Sequence, residues 1–164
     1  MPTLKPKLIF AIALLALTTV GGCKKGAAVG PKDNSDNVWL LNNIKHTVTG
    51  TNRTGTPGEP ETSIVFQESY IGNSAVIDFT FKTLPTASGT YRLIYHDLTP
   101  LGDDEMNLVV NTRDTNSCQY IGEPVNVQVT VTNGKIKIDV PPVKVKSYDE
   151  SQAVYDLSAS VYEL

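Results

Sequence analysis

Two cysteines in 164 residues exclude a disulfide scaffold, and neither sits in a usual zinc-binding spacing. Histidine is equally scarce, with two in the chain, so there is little material for general bases. The patterns G-x-S-x-G, H-E-x-x-H, C-x-x-C and G-x-G-x-x-G are all missing, which removes the common hydrolase, metalloprotease, redox and dinucleotide sites. The chain therefore reads as a non-enzyme, with no cofactor and no metal centre implied. A basic excess is lacking too. Net charge is −3, and residues 1–22 carry two lysines and no acid, so the remainder stands at −3 − 2 = −5. That balance excludes a dedicated nucleic-acid binder. No apolar run reaches the ~20 residues of a membrane-spanning helix. No stretch keeps a helical period either.

What is present is enough for one domain: 40% hydrophobic and 19% charged residues allow a packed core. Ahead of it, Lys5 and Lys7 precede an apolar run from Leu8 to Leu17 that fades through Thr18 and Thr19 to Val20. Basic residues, a short apolar core and then small residues make an export signal. Here the small residues are Val20-Gly21-Gly22, and Cys23 follows them directly. A thiol is the nucleophile that takes a diacylglycerol group as a stable thioether. Residues without bulk ahead of it let the backbone lie extended in a peptidase cleft.

The segment resembles the lipobox of bacterial lipoproteins. That resemblance implies cleavage before Cys23, acylation of Cys23 (palmitate among the chains) and a protein held by membrane lipid. Two or three acyl chains anchor durably where one does not. Lys24 and Lys25 stand where an aspartate would signal inner-membrane retention, which points to the outer membrane; the chain also lacks the acids that follow the cysteine in surface lipoproteins of some Bacteroidota, which implies the periplasmic face. The organisation expected is a signal helix over 1–22, the lipidated cysteine with a flexible tether over 23–37, and a folded domain over 38–164.

Within that domain almost every apolar segment alternates with period two. Ile44, His46 and Val48 do so, as do Ile77, Phe79 and Phe81, and Tyr91, Leu93 and Tyr95. Further on come Val125 to Val131, Ile136 to Val140, and Tyr155 to Val161. Strict alternation predicts half-buried antiparallel strands. Asn133-Gly134 between two such runs predicts a two-residue hairpin. Pro141-Pro142 is expected to end the strand that follows, leaving Val143–Lys146 as a charged edge strand. Gly50 to Thr62 reads as a long loop. The sum is an all-β domain, an antiparallel β-sandwich of about eight to ten strands, with a lipocalin-like up-and-down barrel as the alternative. The hairpin, the proline-interrupted edge and the final strand resemble small Bacteroidota all-β lipoproteins of unknown function. The resemblance transfers no activity.

Candidate sites are few. His96 closes a strand just before a loop with Asp97, Asp103, Asp104 and Glu105, the one place where a histidine and carboxylates gather. His96, Asp103, Asp104 and Glu105 are thus the expected contact residues for an envelope protein or glycan. Loops on a rigid scaffold commonly carry recognition, although Gly and Asp also simply favour turns. His46 falls on the inward phase and is expected buried. Cys118, the remaining thiol, is expected to be an inert packing residue. Lys135, Lys137, Lys144 and Lys146 share the outward phase and would attract anionic glycans or headgroups, or merely keep the sheet soluble. Tyr91 and Tyr95, in phase with Leu93, are expected in the core. The function expected is a membrane-anchored, non-catalytic binding or structural module, with a small-ligand carrier or a hydrolase as alternatives.

Overall fold

A computed structural model describes residues 36–55, 60–70, 73–95, 97, 99–112 and 115–164. The expected signal helix, most of the tether, Cys23 and His96 lie outside the described residues. All described residues belong to one unit, Asp33–Leu164.

The alternating segments are strands, and there is no α-helix among the described residues. Eleven strands form: β1 (Val38–Leu41), β2 (Ile44–Thr47), β3 (Gly50–Thr54), β4 (Thr62–Tyr70), β5 (Asn73–Phe81), β6 (Gly89–Leu93), β7 (Glu105–Thr112), β8 (Thr115–Tyr120), β9 (Val125–Thr132), β10 (Lys135–Ser147) and β11 (Val154–Tyr162). Five of them close a ring, each bonded to the next in the order β10, β9, β6, β7, β8 and back to β10. From β10 the sheet continues through β11 and β1 to β2; from β7 it continues through β5 and β4 to β3. All pairings are antiparallel except β6 with β7. That parallel pair follows from the connection 94–104, which carries the chain back to run alongside β6 rather than turning in a hairpin.

The inward phase builds the core. Ile77, Phe79 and Phe81 of β5, Val127 and Val129 of β9, and Ile136 and Ile138 of β10 are fully buried in one cluster. Phe66 meets Phe79 edge-on at 5.9 Å, and Phe81 meets Tyr91 at 5.2 Å, the T-shaped geometry that ring quadrupoles favour. Cys118 is buried in the same cluster. Asn133 and Gly134 have φ of 53° and 75° and join Thr132 to Lys135 in register, the two-residue turn the sequence predicts. A second such turn was not anticipated: Asn42 and Asn43, at φ 49° and 66°, join β1 to β2.

Four expectations are corrected. Gly50–Thr54 is a strand, not loop, because the chain leaves β1 after Thr47 and pairs with β4 instead. The backbone N–H of Val48 still bonds Asn37 on the β1 side, while that of Thr49 bonds Gln67 on the β4 side. Pro141-Pro142 does not end β10. The register shifts between Val140 and Val143, a bulge that absorbs two residues without donors, and Val143 and Val145 stay inward. Val143–Lys146 is accordingly no edge: it lies between β8 and β11. Ile44 and Tyr95 are more than half exposed, since each lies where its strand ends and the alternation no longer constrains it.

The start of the domain is fastened to its end. Asn37, read from sequence as tether, is fully buried; its side-chain amide donates to the Tyr162 carbonyl at 2.7 Å and accepts the Tyr162 N–H at 2.8 Å. Arg53 reaches from β3 to Glu163, with Nε and Nη2 each 2.7 Å from a carboxylate oxygen, and Nη2 also donates to the Gly134 carbonyl.

Candidate functional site: a tyrosine-walled cleft

The outward face of β8 and β10 follows from the same alternation. With Val143, Val145 and Ser147 inward, Lys144, Lys146 and Tyr148 point outward. Lys146 stands opposite Gln119 of β8. Gln119 is only 4% exposed although it lies on this outer face, because the groups around it roof it over. The Tyr148 hydroxyl donates to its Oε1. Around this floor opens a cleft of about 250 Å³, with Tyr95 and Tyr148 as walls and Ile121, Lys146, Ser147 and Gln152 completing the lining.

The walls are held from behind. Ser147 N–H bonds the Ala153 carbonyl at 2.8 Å, and Tyr148 N–H bonds the Ser117 carbonyl at 3.0 Å. Asp149 accepts the Ser151 N–H at 3.0 Å, and the Gln152 side chain donates back to the Asp149 carbonyl at 2.8 Å. Gln152 closes this turn at φ 51°. Burial, and then the neighbouring Tyr95 phenol, push the Tyr148 hydroxyl above the usual tyrosine range. It stays a neutral donor and acceptor across physiological pH.

The charges sort themselves differently from the cleft. Lys137 pairs with Asp139 at 2.9 Å and Lys144 with Asp156 at 2.5 Å. Lys135 lies near Glu163. Lys146 has no acidic partner among the described residues, so of the four lysines its ammonium is the one turned to a recess without a countercharge. Half-buried at the rim of the recess and without an acidic partner among the described residues, it is positioned to meet an anionic group.

The loop singled out from sequence is organised by cations. Asp103 pairs with Lys82 at 2.8 Å, Asp104 with Arg92 at 3.5 Å, and Glu105 with the other end of the same guanidinium. Glu105 also accepts the Gly102 N–H at 2.8 Å, and Asp97 accepts the Thr99 hydroxyl at 2.8 Å. Asp103 and Asp104 remain exposed; Glu105 opens β7 and is half-buried. None of these acids lines the cleft. The 94–104 connection contributes through Tyr95 instead. Among the described residues, no three His, Cys, Asp or Glu side chains gather closely enough to hold a metal ion.

His46 is buried and stacked on Trp39, ring centroids 5.0 Å apart. Its Nδ1 lies 2.8 Å from Glu68 Oε2, while Glu68 Oε1 accepts the Thr47 N–H at 3.0 Å. Since the carboxylate accepts, Nδ1 carries the proton. Glu68 thus stands in for a strand partner on the side of β2 away from β1.

Sequence reasoning missed the tyrosines of the cleft. Tyr95 follows β6 in phase with Leu93, which conceals that the strand has ended. Tyr148 was detectable as a large aromatic on the outward phase of a valine-rich strand. Gln119 and Gln152 carry no signal of their own. Comparisons with protein-family models, with curated proteins and with solved structures find no match.

Proposed function

We propose that this chain is a lipid-anchored lipoprotein of the cell envelope whose β domain acts as a non-catalytic binding module. The observation that carries the binding part is the contrast between a filled interior and a shaped exterior. The inward side chains of the five-strand ring, Leu93, Met106, Cys118, Val129 and Ile138 among them, are fully buried. A ring of that size encloses side chains rather than a ligand, which disfavours the carrier alternative. Recognition then falls to the outside, where the tyrosine-walled cleft lies. The anchoring part rests on Val20-Gly21-Gly22-Cys23 and the apolar run before it. Outer-membrane placement on the periplasmic face rests on Lys24 and Lys25. Within this reading the architecture is a sandwich rather than an up-and-down barrel, which is supported by Trp39 of β1, Phe66 of β4 and Phe79 of β5 sharing one buried cluster.

The test is made in the native envelope. Mass spectrometry of the purified protein is expected to find an acylated N-terminus at Cys23, and Cys23→Ala to leave an uncleaved precursor. An unmodified start at any other residue overturns the lipoprotein reading. A photo-reactive side chain at position 148 is expected to capture an envelope component that the same group at position 126 does not; equal labelling from both positions overturns the module reading.

A further inference from the structure

Resting on the binding-module reading, we infer that the Tyr95–Tyr148 cleft is a subsite for an acidic saccharide, taking one uronic-acid ring. Four observations lead there. The recess is about 250 Å³, below the ~300–1,000 Å³ of sites for drug-sized ligands, so it suits a single small ring within a longer chain. Its walls are two tyrosines that are 51% and 57% exposed. Each offers an apolar face for the C–H groups of a sugar and a phenol for its hydroxyls. Leaving such rings in water has no packing reason, since neither belongs to the core. A side-chain amide, Gln152, stands at the rim, and amides both donate and accept as vicinal hydroxyls require, while Gln119 at the floor holds the Tyr148 phenol in place. Lys146 then supplies one positive charge with no acid opposite it among the described residues, which matches one carboxylate on the ring.

The alternatives fit less well. A phosphate would call for several cations or a nest of backbone N–H groups, and among the described residues the lining offers one lysine. An apolar ligand would leave the Lys146 ammonium facing hydrocarbon. A neutral sugar leaves the charge unused. The site is also pre-shaped: the 147–153 turn is braced by hydrogen bonds of 2.8–3.0 Å, so little ordering entropy opposes binding.

The experiment is calorimetric titration of the full chain with trigalacturonate and, in parallel, with the neutral trisaccharide maltotriose. Wild type is expected to bind trigalacturonate roughly threefold to tenfold tighter than maltotriose, the range of one partly exposed ion pair or charged hydrogen bond. Lys146→Gln is expected to remove that preference, weakening trigalacturonate more than maltotriose. Tyr148→Ala and, separately, Tyr95→Ala should each weaken both ligands by about tenfold or more, with thermal melts confirming that the variants fold. Lys137→Gln, already paired with Asp139, should change neither. Absence of binding to both saccharides overturns the inference, as does wild-type affinity in either tyrosine variant. An acid preference that survives Lys146→Gln overturns the assignment of the carboxylate. Site-specific capture at position 148 despite absent saccharide binding leaves the module reading standing and removes only the saccharide.

Discussion

Asp78 sits on β5 between Val65 of β4 and Val109 of β7, in register with both. A carboxylate among valines is poorly solvated; its Oδ1 is buried with no hydrogen-bond partner among the described residues. Burial therefore pushes the Asp78 carboxyl above its ordinary value of 3.8, opposed only in part by a hydrogen bond from Ser63. Between 3.8 and the higher value in the fold, the folded chain binds more proton than the unfolded one, so stability falls as pH rises through that window. Asp78→Asn removes this penalty. The variant is expected to melt above wild type at neutral pH, and the gap to close below pH 3.8, followed by circular dichroism across the pH range. A neutral-pH loss of stability in Asp78→Asn would mean that the charge is compensated. Trp39 presents a related cost: its indole N–H is buried without an acceptor among the described residues, while the ring stacks on His46 and belongs to the core cluster.

At the scale of elements, the β9–β10 hairpin is where sequence and structure agree most closely. A Cβ on Gly134 would meet nothing within 4 Å, yet φ is +75°. The cost of Gly134→Ala is therefore purely conformational, about 1–2 kcal/mol, and Gly134→Asn should recover part of it. Ile138→Asp, placing a carboxylate where exposure is 0%, should unfold a domain of ordinary marginal stability. Lys137→Asp on the opposite face should stay within about 1 kcal/mol. Chemical denaturation of the four variants separates these outcomes. What made this hairpin readable is that both signals, alternation and an Asn-Gly turn, are local. The prolines misled because a bulge depends on neighbours: β8 and β11 flank the Val143–Lys146 segment and demand that it continue. The ordering of Asn37 was missed for a similar reason, since it is held by Tyr162 far along the chain. The cleft was harder still. It gathers Tyr95, Gln119 and Tyr148 from three separate segments, and no spacing along the sequence encodes that meeting.

For the whole molecule, the attachment of β3 to the end of β11 is a pH-dependent clasp. Burial pushes the Glu163 carboxyl up, but the hydrogen bonds from Arg53 and the Ile136 N–H, with the charges of Arg53 and Lys135, hold it below its ordinary value of 4.5. A carboxyl with a depressed folded value contributes stability that is present in full above 4.5 and lost as pH falls through the lower one. Glu163→Gln should therefore lower the melting temperature at pH 7 and lose this effect in acid. The expected change is about 1 kcal/mol, discounted because Arg53 is half exposed to solvent. A variant as stable as wild type at pH 7 would show that the clasp is energetically idle. The same arrangement has a kinetic side. β1 pairs with β2 on one side and with β11 on the other, Asn37 brackets Tyr162, and Arg53 bonds Glu163, so one edge of β1 stays unpaired until the closing strand arrives. Contacts this distant along the chain make folding slow. A chain from which β11 has not yet emerged therefore cannot complete the sheet, since both β1 and β10 await that strand.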